Sequence, residues 1–121
     1  MTAALLPIIL LVQGGYYALT GIWSLVDIDS FQKVTGPKRD LWLVKTVGAV
    51  VLVIGAVLLV AGWRGNASLE VLVLAIGSAL ALTAIDAWYS ARRVISPVYL
   101  VDAVAELTLI GAIIFAVVMR G

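Results

Sequence analysis

Residues 47–61 read VGAVVLVIGAVLLVA, fifteen positions without a charge or a hydrogen-bonding side chain. A helix lying on a soluble core keeps one polar face, and this stretch has none. Worked outward, the run extends over 41–63, and three others like it cover 4–26, 68–90 and 97–119. Each run of 23 residues makes a helix of about 34 Å at about 1.5 Å per residue. A bilayer core is about 30 Å thick and needs about 20 mostly apolar residues to cross it. Composition agrees: 64% of the chain is hydrophobic and 12% charged, whereas soluble domains have about half their residues apolar and about a quarter charged. The expected fold is all-α, an integral membrane bundle of four transmembrane helices running up-down-up-down. The whole of 1–121 is expected to form one domain, because loops as short as 27–40, 64–67 and 91–96 make successive helices antiparallel neighbours.

The charges divide unevenly. One half holds Asp27, Asp29, Lys33, Lys38, Arg39, Asp40, Lys45, Asp86, Arg92, Arg93, Asp102 and Glu106; the other holds Arg64, Glu70 and Arg120. Six of the eight Lys and Arg residues thus share a side with loops 27–40 and 91–96, which the positive-inside rule makes cytoplasmic. Both termini then face outward, and the expected location is the plasma (inner) membrane. Trp23, Trp42, Trp63 and Trp88 lie at run ends, as an interfacial aromatic belt requires. The first run is too long for the apolar segment of a cleavable signal, and no basic segment precedes it.

Local signals set the helix ends. Ser96-Pro97 reads as an N-cap followed by proline at the first helical position. Asp40 can cap the second run, and Ser68, with Glu70 in the first turn, the third. Gly36-Pro37 ends whatever precedes it. Residues 30–35 (SFQKVT) are expected to form a short interfacial turn with Phe31 and Val34 against lipid. Asn66-Ala67-Ser68 matches a glycosylation sequon, but in so short a turn beside lipid chance accounts for it.

Small residues mark close packing. Gly48, Gly55 and Gly62 recur every seven positions on the second run; Ala75, Ala79, Thr83 and Ala87 recur every four on the third. Such stripes let backbones approach in lipid, where no hydrophobic drive brings helices together. They serve packing within the chain or a homodimer face. ALTGI (18–22) resembles ALTAI (81–85), and LVKTV (43–47) resembles LVDAV (100–104), a weak repeat that would make Lys45 and Asp102 equivalent.

Function rests on polar residues inside these runs. Gln13, Tyr17, Thr20 and Ser24 fall at i, i+4, i+7 and i+11; Thr83, Asp86 and Ser90 share a face, as do Tyr99, Asp102 and Glu106. Exposure of such groups to hydrocarbon is costly, so the stripes should face each other. Asp102 lies about 7 Å and Glu106 about 13 Å inside the boundary, taking the helical rise. Lys45 is expected to pair with Asp86 or Asp102, with Thr83 and Tyr99 adding hydrogen bonds. The candidate ligand-binding set is therefore Glu106, Asp102, Asp86, Lys45, Tyr99, Tyr17, Gln13 and Thr83. Cysteine and histidine are both absent, which excludes disulfides, thiolate chemistry, Cys/His zinc sites and His-ligated haem. No cofactor or metal is expected, and a net charge of +1 gives no reason to expect nucleic acid.

SFQKVTGPKRDLWLVKTVG (30–48) and ISPVYLVDAVAEL (95–107) resemble segments of small, uncharacterised bacterial four-helix membrane proteins. Size and helix count also resemble the DoxX-like group and, more distantly, the EXPERA group of sterol isomerases and sigma-2-type receptors. The EXPERA likeness implies that acidic residues inside the bundle, here Asp86, Asp102 and Glu106, hold a cationic amine or carbocation-like intermediate. The histidine of those isomerases is missing here. Small multidrug transporters also have four helices and a membrane glutamate, but theirs is in the first helix, where this chain has no acid before Asp27. The leading expectation is a pocket, open to the cytoplasmic side, for a polar or cationic small molecule or lipid, with Glu106 as deep anchor, Asp102 and Asp86 at the entrance and Lys45 tuning their charge. A proton-coupled transporter, an intramembrane isomerase using Glu106 and Asp102, and an accessory subunit offering loop 27–40 to a partner are the alternatives. Whether the chain is an enzyme stays open.

Overall fold

Every apolar run folds as one helix. The computed structural model describes residues 2–38 and 40–120, with side chains from residue 5 onward. Arg39, one of the six cations assigned to the charged half, lies outside the described residues. The helices are α1 (Thr2–Val26), α2 (Ile28–Thr35), α3 (Leu41–Trp63), α4 (Leu69–Ala91) and α5 (Tyr99–Arg120), and there is no strand among the described residues. Four of them contain segments long and apolar enough to cross a membrane: Leu5–Val26, Leu41–Trp63, Leu69–Ala91 and Tyr99–Arg120. Helix α3 is rich in valine, a residue of modest helix propensity. A segment that crosses hydrocarbon overrides that preference, because only a helix satisfies every backbone group of a lone segment. Its outer face, Val50, Val53, Val57 and Val60, is exposed, which suits lipid and not water.

Ser68 caps as expected, Asp27 caps although the sequence did not single it out, and the two other expected starts differ. Asp27 Oδ1 accepts from Ser30 N at 3.2 Å and Ser68 Oγ from Val71 N at 3.3 Å, so both cap as acceptors. Asp40 precedes α3 without a side-chain cap bond. The Ser96-Pro97 start is delayed: Tyr99, Leu100 and Val101 donate three residues back to Ser96, Pro97 and Val98, and the regular α5 begins only at Tyr99. Residues 30–35 belong to a full eight-residue helix, α2, ended by Gly36 at φ 100°. Phe31 does not face lipid as expected. It is buried, stacked edge-on against Trp23 with ring centres 5.2 Å apart. Trp23 Nε1 donates to Ser30 Oγ at 2.7 Å, and this pair of contacts folds α2 back onto the end of α1.

Packing is unequal. Helix α1 lies along α3 over most of its length, α4 pairs with α5, and α1 also touches α5; α3 and α4 scarcely meet although a short loop joins them. The α1–α3 contact explains the glycine stripe. A Cβ on Gly55 would stand 2.7 Å from Ala18 N and Gly14 O, and one on Gly62 would stand 2.8 Å from Pro7 O. In return, a Cβ on Gly14 would meet Gly55 O at 2.8 Å, and one on Gly21 would meet Gly48 O at 2.5 Å. The heptad glycines of α3 therefore serve packing within the chain. Their partners Gly14 and Gly21, also seven apart, complete the interface. On α4, Ala75 and Ala79 are fully buried, while Ala87 at the end of the same stripe is exposed.

Candidate functional site

Because α3 meets α1 but stands away from α4 and α5, a space is left among the helices at the α2 end. It is a cavity of about 490 Å³. Its walls are mostly apolar, with Val44, Val47 and Val51 of α3 on one side, Leu82 and Ile85 of α4 on another, and Val98 and Val101 of α5. Exposed Leu43, Val47, Ile85 and Val101 edge it, so its mouth between α3 and the α4–α5 pair is apolar. Its titratable groups are Tyr16, Tyr17, Asp86, Tyr99 and Asp102, with Lys38 from the loop after α2, and the hydroxyls of Thr20, Ser24 and Thr35 also line it. Volume and lining both fit the usual form of a small-molecule site.

The titratable side chains form two clusters. In the first, Asp86 of α4 and Asp102 of α5 face one another, and the Tyr16 hydroxyl donates to Asp102 Oδ1. Asp86 is 4% exposed and its carboxyl lies within hydrogen-bonding reach of Asp102, but its buried Oδ2 accepts from no donor among the described residues. An orphaned buried carboxyl oxygen costs about 1–3 kcal/mol or more. A site that receives a donor from outside tolerates such a cost.

The second cluster lies behind the first, and in it Gln13 Oε1 is buried without a partner among the described residues. The Tyr17 hydroxyl donates to both oxygens of Glu106 at 2.8 Å and accepts from Gln13 Nε2 at 3.2 Å. Gln13 Nε2 also donates to the Ala75 carbonyl of α4 at 2.9 Å. Glu106 and Gln13 are fully buried. The polar stripe of α1 thus faces inward and ties α1 to α4 and α5, as its spacing requires. Glu106 does not line the cavity; Tyr17 stands between them. It is therefore placed behind the pocket wall and not as the deep contact for a ligand.

Two other sequence candidates lie elsewhere. Thr83 Oγ1 donates to the Ala79 carbonyl of its own helix at 2.7 Å and does not line the cavity. Lys45 is exposed, and no ion pair with Asp86 or Asp102 forms among the described residues. The reason is rotational. At about 100° per residue, Lys45 and Val44 fall on opposite flanks of Gly48, and the cavity is on the flank of Val44, Val47 and Val51.

Sequence spacing missed Tyr16 and Lys38. Tyr16 sits one residue off the α1 stripe, and only the position of α5 brings Asp102 to it. Lys38 Nζ donates to Thr35 O (3.0 Å), Thr35 Oγ1 (3.2 Å) and Gly36 O (2.7 Å), and lies 5.1 Å from the Tyr99 ring centre. A cation bound to the last carbonyls of a helix is favoured by the helix dipole, so Lys38 holds the end of α2 at the cavity rim. Its place in a loop gave no helical register to reveal this. Among the described residues, no group of three acids is placed to hold a metal ion. Comparison with known protein families, curated proteins and solved structures finds no match for the chain.

Proposed function

We propose that this chain is a plasma (inner) membrane protein that binds an amphiphilic small molecule or lipid in the cavity, with the polar or cationic end of the ligand at Asp86 and Asp102. Loop 27–40 faces the cytoplasm and both termini face outward, on the positive-inside argument. The observation that carries the reading is Asp86: it lines the cavity, and its buried Oδ2 accepts from no donor among the described residues. A protonated amine supplies the missing hydrogen bond and a counter-charge, and its apolar body matches the valine and leucine walls. The apolar mouth between α3 and the α4–α5 pair admits such a molecule from the bilayer.

The test compares 4-phenylbutylamine with 4-phenylbutanol on protein purified in one detergent, reading thermal stability. A ligand at about 100 times its Kd adds about 2.7 kcal/mol. The amine should raise the melting temperature of the wild type by several degrees, and the alcohol should not. Asp86→Asn should abolish the difference. Equal shifts from amine and alcohol, or an undiminished amine shift in Asp86→Asn, refute the reading.

A second reading, intramembrane isomerisation, draws on the same pair. Two neighbouring carboxyls that line the cavity, one held by Tyr16, can give and take a proton at neighbouring atoms of one substrate. Glu106, sealed behind Tyr17, takes no part in this version. Lipid extracts compared before and after incubation with the protein would reveal a product.

A further inference from the structure

A second cleft, of about 560 Å³, lies between the loop after α2 and the loop joining α4 to α5. Its lining includes Lys38, Arg93, Ser90 and Ser96, and contains no carboxylate. Two cationic residues therefore line one recess that no acid lines, and neither has an ion-pair partner among the described residues. Arg92, next in sequence, is occupied differently: its guanidinium lies 5.5 Å from the Trp88 ring centre.

Three details separate this recess from an ordinary basic surface. Arg93 adopts φ 61° and is the only residue other than glycine at positive φ among the described residues. Glycine is the residue that takes this conformation freely, so the chain carries a guanidinium where the backbone favours no side chain. The Lys38 ammonium has its three hydrogens committed to Thr35 and Gly36 oxygens and thus offers fixed charge and not a new bond. Ser96 Oγ accepts from Val98 N at 3.3 Å, and its own hydrogen finds no acceptor among the described residues. The recess thus combines a forked donor, a free hydroxyl donor and a fixed positive charge. That set matches the oxygens of a phosphate group, which guanidinium binds in bidentate fashion.

We infer that the cleft between loops 36–38 and 90–97 binds a phosphate group, distinct from the ligand of the intramembrane cavity. Its position, next to the exposed Trp88 and the short helix α2, is at the level where phospholipid headgroups lie. Basic recesses between transmembrane helices are suited to such headgroups. A soluble phosphate monoester offers the same chemistry.

The experiment uses the whole chain. Wild type, Arg93→Gln and Arg93→Gly are reconstituted into phosphatidylcholine nanodiscs with or without about a fifth phosphatidic acid, and the enrichment of phosphatidic acid around each is read by lipid mass spectrometry. In parallel, glycerol 3-phosphate and inorganic phosphate are titrated against the detergent-solubilised proteins. The glycine variant separates folding from binding, because it relieves the positive φ and should melt no lower than wild type. Enrichment of phosphatidic acid in wild type, reduced about tenfold in both variants, establishes a lipid headgroup site; about tenfold is a modest charge-assisted contact. Arg93-dependent binding of glycerol 3-phosphate or phosphate without lipid enrichment establishes a soluble ligand. If neither probe exceeds the phosphatidylcholine and chloride controls, or if Arg93→Gly binds as wild type does, the inference fails and Arg93 serves topology alone.

Discussion

Gly55→Ala probes the contact on which the cavity depends. The added methyl would stand 2.7 Å from Ala18 N and Gly14 O and 3.0 Å from Tyr17 Cβ. The two nearest neighbours are backbone atoms and cannot rotate away. Since ordinary contact begins at 3.4 Å, α1 and α3 must part by about 0.7 Å at this level. A gap of about 0.5–1 Å already forfeits a quarter to a half of a dispersion well. Overpacking of this kind costs about 1–3 kcal/mol. Gly77 and Gly111 supply the control, since a Cβ at either meets nothing within 4 Å. Gly77→Ala and Gly111→Ala should be neutral or gain up to about 1 kcal/mol from helix propensity. Unfolding by sodium dodecyl sulfate from mild micelles, followed by tryptophan fluorescence, measures all three. Because the displaced segment carries Tyr17, Gly55→Ala should also weaken amine binding. If Gly55→Ala is as stable as Gly77→Ala, the account of the α1–α3 interface is wrong.

Other substitutions test separate contacts. Tyr17→Phe removes the only hydrogen-bond donor to the buried Glu106 carboxyl among the described residues and should cost about 1–3 kcal/mol; a double-mutant cycle with Glu106→Gln should show coupling of at least about 0.5 kcal/mol. Lys45→Met, at an exposed position without an ion pair, should stay within about 0.5 kcal/mol of wild type in the same unfolding assay, and a larger loss would restore Lys45 to the acidic cluster. Gly36→Ala places a methyl group at φ 100° and ψ 152°, a region nearly reserved for glycine, and should cost about 1–3 kcal/mol, loosening α2 to faster proteolysis of loop 27–40.

The candidate site was partly legible. That Gln13, Tyr17 and Glu106 face one another followed from helical spacing, because polar groups on otherwise apolar helices must find partners when buried. Their order did not follow: Tyr17 closes Glu106 off and leaves Asp86 and Asp102 to meet the cavity. Lys45 looked equally well placed, since it lies three residues before Gly48. Spacing gives the angle between two residues, but only the position of the neighbouring helices says which flank of the stripe faces a cavity.

The sequence by itself determined four long apolar helices, their ends within about three residues, the capping role of Ser68, and the close-packing role of Gly48, Gly55 and Gly62. These are local properties: run length, periodicity and the chemistry of a turn act within a few residues of the backbone. Only the tertiary structure decided that Gly14 and Gly21 complete the α1–α3 contact, that α3 stands apart from α4 although a short loop joins them, and that Tyr16 and Lys38 join the site. Each of these depends on the relative rotation and distance of whole helices. In an almost uniformly apolar chain, many faces are equally willing to pack, and close steric fit at a few glycines makes the choice.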